Sequence, residues 1–92
     1  MQPTQTAVLV SMAPDCTIRR IEQAREALLQ GGTSPLLVAC DAVEQADVTF
    51  VQLIVSAQAS CAVRGQSLQL RSVPECVRNA FERAAVHLPS GP

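Results

Sequence analysis

Apolar and polar positions alternate between two periods along this chain, and that alternation predicts its elements. Residues 7–11, Ala-Val-Leu-Val-Ser, form a short apolar run that reads as a strand buried on both faces. Ala13-Pro14 breaks the run. Asp15 or Thr17 can then cap a helix that turns Ile18, Ile21, Ala24 and Leu28 to one face and Arg19, Arg20, Glu22 and Glu26 to solvent. Gln30-Gly31-Gly32 ends it, glycine being the residue that accepts a left-handed C-terminal turn. Residues 35–40 are a second apolar strand, placed at the centre of the sheet. A loop over residues 41–47 carries Asp41, Glu44 and Asp47.

Sixteen residues from Val48 to Val63 follow without a charge, closed by Arg64 and Gly65. They read as a second helix over residues 48–64, apolar around most of its circumference. Its polar positions, Thr49, Gln52, Ser56 and Ser60, are spaced three, four and four apart and share one face. Residues 67–71 alternate as an edge strand. Ser72 and Glu75 have capping-box spacing, with Pro74 in the first turn, before a third helix that turns Val77, Ala80, Phe81 and Ala84 inward. Residues 1–5 and 89–92 read as flexible ends. Strands alternating with helices imply parallel pairing with right-handed crossovers: a small α/β domain spanning residues 1–92, its core over 7–88, with three to four strands packed by three helices.

The helix 48–64 carries the sharpest chemistry. Asp47 stands where a carboxylate accepts hydrogen bonds from the first helical N–H groups. Thr49 lies in the first turn, where the positive end of the helix dipole favours added negative charge, so a phosphorylated Thr49 would be tolerated and conspicuous. The stripe of small uncharged groups suits contact with a partner, since covering it strips no full charge of water; a helix partly covered within the fold explains it equally well. Phe50 reads as a core residue beside Leu53 and Ile54, the other reading being an aromatic anchor next to Thr49.

Composition narrows the functions. Seven basic residues, all Arg, nearly balance eight acidic ones and form no stripe, which argues against nucleic acid and anionic membrane. Phe50 and Phe81 are the only aromatic residues, so a base-stacking or sugar-binding face is excluded. The segment 48–63 is too short and too polar to span a membrane, residues 7–10 are too short for a signal core, and a cytoplasmic location is expected. Cys16, Cys40, Cys61 and Cys76 are far apart and read as small apolar fillers, not ligands with His87. The three acids of 41–47 lack the spacing and central Gly of a calcium loop. No nucleophile, base and orienting group can be placed together, so no enzyme and no cofactor is expected.

Three segments resemble a known family. Pro14-Asp15-Cys16-Thr17-Ile18 resembles the lead into the first helix of the STAS domains, the fold of bacterial anti-sigma-factor antagonists. Ala42-Val43-Glu44-Gln45-Ala46-Asp47, with Val48-Thr49-Phe50-Val51 after it, resembles their signature loop. Arg64-Gly65-Gln66-Ser67-Leu68-Gln69-Leu70 resembles their last-strand segment. The likeness covers residues 7–88. It implies a non-catalytic module that binds a kinase-type anti-sigma factor and releases it on phosphorylation, with Thr49 at the phosphoacceptor position. It differs from the family pattern in having Ala39 where an Asp is usual, Phe50 where Gly is usual, Gln52 in place of a small residue, and only six residues ahead of Ala7, too few for the usual opening hairpin strand. Two further relatives fit the departures: STAS subunits of lipid-transporting ABC complexes, and short STAS proteins that work with chemotaxis histidine kinases. On this resemblance the partner surface comprises Asp15, Asp41, Glu44, Asp47, Val48, Thr49, Phe50, Gln52 and Ser56.

Overall fold

The computed structural model describes residues 7–30 and 35–88. Strand β1 is Val8–Ser11, β2 Asp15–Cys16, β3 Leu36–Ala39, β4 Gln45–Ala46 and β5 Leu68–Arg71. Helix α1 is Ile21–Leu29, entered through a 3₁₀ turn at Ile18–Arg20; α2 is Val48–Val63 and α3 Glu75–Arg83. β1, β3 and β5 form a parallel sheet with β3 central, in the register Val8, Leu36, Leu68 and Val10, Val38, Leu70. The expected α/β order, the central strand and the edge strand all stand. A second, two-stranded parallel sheet pairs Asp15 with Gln45 and Cys16 with Ala46. It lies where a break and a loop are expected, because two residues carry no periodic signal.

Each strand of the three-stranded sheet has one buried face. Val10, Leu36, Val38, Leu68 and Leu70 pack beneath the helices, against Ala24 and Leu28 of α1, Phe50, Val51 and Ile54 of α2, and Val77, Ala80 and Phe81 of α3. Among the described residues this core contains no buried polar or charged side chain. On the other face Leu9 is 61 % exposed and Leu37, Ala39 and Gln69 are half-buried. The expectation that the first strand is buried on both faces is therefore corrected: its apolar run is continuous, but only one side is covered.

The helix ends follow local chemistry, with two corrections. Helix α2 closes in a Schellman turn: Gly65, at φ +72°, donates to the Ala62 carbonyl (2.9 Å) and Gln66 to that of Cys61 (2.9 Å). Helix α1 ends at Leu29 with Gln30 as its C-cap, and Gly31 and Gly32 lie outside the described residues. The capping box at Ser72 does not form. Pro74 is the N-cap of α3, without a side-chain cap, and Ser72 instead takes a left-handed conformation at φ 55°. Glu75 still stands in the first turn, where the helix dipole favours it. Ile18 does not join the inward face of α1 and is 67 % exposed. It belongs to the 3₁₀ turn, whose three residues per turn break the 3.6-residue spacing that buries Ala24 and Leu28.

Candidate docking surface

Asp47 is the hub of this surface. Its Oδ1 accepts the Thr49 N–H (3.0 Å), which caps α2 as the sequence implies. Its Oδ2 accepts the Ile18 N–H (3.0 Å), twenty-nine positions away in the chain. One carboxylate thus holds the starts of both the 3₁₀ turn and α2. The Asp47 carbonyl accepts from Phe50 (3.0 Å) and Val51 (3.3 Å), so the amides of Thr49, Phe50 and Val51 all terminate on this residue. The loop before it is tied down too, with Glu44 and Gln45 donating to the Pro14 carbonyl at 2.8 and 3.0 Å.

Asp15 sits at the neighbouring strand end and is half-buried. Its Oδ1 accepts the hydroxyl and the amide of Thr17, and Arg19 reaches Oδ2 at 3.9 Å. The Thr17 hydrogen bonds, with smaller help from the Arg19 and Arg20 charges, hold the Asp15 carboxyl below its ordinary value of 3.8. Asp15 therefore braces the turn that precedes Ile18 while Asp47 holds its amide.

Of the nine residues assigned to the partner surface, eight lie wholly or partly at the protein surface. Asp41, Glu44, Val48, Gln52 and Ser56 are exposed; Asp15, Asp47 and Thr49 are half-buried. Thr49 is thus less prominent than the sequence suggests. Phe50 is the correction: it is fully buried, packed in the core as its preferred reading has it, and offers nothing to a partner. The stripe of α2 is otherwise open, with Gln52, Ser56 and Ser60 exposed. Beside it Val48 is 53 % and Val55 40 % exposed. Val48, Gln52, Val55 and Ser56 line one side of a cleft of about 380 Å³, with Ala84 and Val86 opposite. The exposed valines and Ile18 escape sequence reasoning, because an apolar residue on a mostly apolar helix carries no mark of its direction.

The remaining chemistry-bearing residues do not gather here. Among the described residues no three His, Cys, Asp or Glu side chains converge as metal ligands would, and no helix is long and apolar enough to cross a membrane. Cys16, Cys40 and Cys61 are buried, Cys76 is half-buried and His87 is exposed. Burial, foremost, pushes the Cys16 thiol up to about 11 and that of Cys40 up to about 12.

A protein-family model described as "Mlab, STAS domain" matches residues 6–87, most of the chain. No curated protein and no solved structure matches.

Proposed function

The chain belongs to the STAS family, and on that premise we propose that it is a non-enzymatic regulatory module that binds a protein partner through the surface spanning residues 41–56. The partner on this reading is an ATPase-fold protein: a kinase-type anti-sigma factor or a chemotaxis-type histidine kinase. The observation that carries it is the outer face of α2. From Val48 to Val63 the helix bears no charge, yet it exposes Val48, Gln52, Val55 and Ser56 beside a half-buried Thr49. Covering such a face removes apolar area from water and desolvates no ion. A phosphate on Thr49 would add about two negative charges at its edge, next to Asp47, and repel the partner.

A second reading, a subunit that steadies the ATPase of an ABC transporter without being modified, is favoured by one detail. The amides of Thr49, Phe50 and Val51 already end on Asp47. A phosphate at Thr49 would find those donors taken and a carboxylate beside it, so Thr49 works here as a contact.

The two readings separate in one experiment. The tagged chain and its Thr49→Glu and Thr49→Ala variants are used to capture proteins from host cells, read by mass spectrometry. Under the switch, wild type and Thr49→Ala recover a kinase or anti-sigma factor and Thr49→Glu recovers none. Under the scaffold, all three recover an ABC ATPase, Thr49→Ala less strongly, and Thr49 in chain isolated from the host carries no phosphate. Recovery of no ATPase-fold protein by folded wild type refutes both.

A further inference from the structure

A second cleft, of about 220 Å³, lies between α1 and α2 at the start of β3. It shares only Ser56 with the cleft along Ala84 and Val86. Its apolar lining runs from buried Leu28, Leu36 and Cys61, through half-buried Leu53 and Ala57, to Leu29, which is 66 % exposed. Among the described residues no acidic side chain lines it, whereas two guanidiniums do, Arg25 from α1 and Arg64 from the end of α2. The exposed hydroxyls of Ser56 and Ser60 complete the polar part.

The two arginines bring charge to an otherwise uncharged lining. Arg25 meets Glu22 at 3.7 Å, an exposed ion pair of little worth. Arg64 touches Gln66 Oε1 at 3.4 Å and the Cys61 sulfur at 3.9 Å. A guanidinium has five donors, so it can keep such contacts and still bind a carboxylate. Glu22 offsets one of the two positive charges, and the pair then balances a single negative charge. The end of α2 does not oppose an anion, because the Cys61 and Ala62 carbonyls accept from Gln66 and Gly65.

We propose that this cleft binds a single-chain fatty carboxylate, its chain against Leu28, Leu29, Leu53 and Ala57 and its carboxylate between Arg25 and Arg64. An apolar cavity of ~150 Å³ takes up benzene, so 220 Å³ admits a chain of about eight carbons. The chain removes apolar surface from water, and the headgroup gains charge-assisted hydrogen bonds. Neither half suffices alone: acetate lacks the chain, and octanol lacks the charge. The site does not depend on a protein partner, so it stands or falls separately from the docking surface.

The test titrates the full chain with sodium octanoate and follows its amide and methyl NMR signals, with acetate, octanol and octylammonium as comparators. Saturable shifts are expected at Leu29, Leu53, Ala57 and Ser60, with none from acetate and about tenfold weaker binding of octanol and octylammonium. Arg25→Gln and Arg64→Gln should each weaken octanoate about tenfold and leave octanol unchanged. Leu29→Ser, at an exposed position that the fold tolerates, should weaken both. Four results would each overturn the assignment: no saturation by octanoate, octanol bound as tightly as octanoate, affinity unchanged in both arginine variants, or shifts confined to the cleft of Val48 and Val86.

Discussion

Replacing Asp47 with Ala removes two acceptors at once, and the geometry says what each is worth. The Thr49 amide at 3.0 Å is an N-cap bond, and loss of such a cap costs about 1 kcal/mol. The Ile18 amide, also at 3.0 Å, is bound by a charged acceptor. That raises its worth, while solvent at the exposed site lowers it, so a further ~1 kcal/mol is assigned. Asp47→Ala should therefore lose about 2 kcal/mol in urea unfolding, a fall in Tm of roughly 10 °C for a domain of this size. Asp47→Ser separates the halves. Its shorter side chain still caps its own helix but cannot also reach Ile18, so it should lose about 1 kcal/mol. Hydrogen exchange supplies the local readout: the Ile18 amide accelerates in both variants, the Thr49 amide only in Asp47→Ala. A loss below about 0.5 kcal/mol for Asp47→Ala, or an Ile18 amide unaffected by it, would refute the view of Asp47 as a clamp across two elements.

Four further expectations follow. Gly65 holds φ +72° and a Cβ there meets nothing within 4 Å, so Gly65→Ala should cost about 1 kcal/mol in urea unfolding from backbone strain alone; Ala85, at φ 56°, offers the reverse, and Ala85→Gly should gain a few tenths to about 1 kcal/mol. Phe50→Leu should cost on the order of 1 kcal/mol and leave partner affinity unchanged, whereas an affinity loss beyond tenfold with intact folding would put the ring back in the interface. The folded-state values of Cys16 and Cys40, raised to about 11 and 12, lie above the ordinary 9.0 of the unfolded chain. The unfolded state therefore releases protons first; stability is intact below pH 9 and falls as pH rises toward 11, by about 2 to 3 kcal/mol per thiol at pH 11. Urea midpoints that stay flat between pH 8.5 and 10.5 would contradict this burial.

Much of the fold is legible in the residues because it rests on periodicity and on end signals. The apolar run at Leu36–Ala39, the alternation at Leu68–Arg71, the uncharged stretch at Val48–Val63 and the glycine at 65 each have a local cause that tertiary packing does not override. Asp47 as a helix cap is legible for the same reason. What the sequence hides is relational. The bond from Ile18 to Asp47 and the pairing of Asp15–Cys16 with Gln45–Ala46 join segments far apart in the chain, and two-residue strands have no period. The uncovered side of β1 is hidden too, since an apolar run looks alike whether one face or two are packed. Ser72 misleads differently: the spacing to Glu75 is right, but the helix starts two residues later than the box requires.

The order of strands in the sheet, β1, β3, β5, is also their order along the chain. Within that sheet each strand after β1 therefore meets a neighbour already made, whereas β2 of the small sheet waits for β4. Assembly runs in one direction, with α3 laid down last over the end of the sheet. Each new strand covers one of the two open edges of the growing sheet, which shortens the time that the pairing groups of that edge stand exposed to other nascent chains.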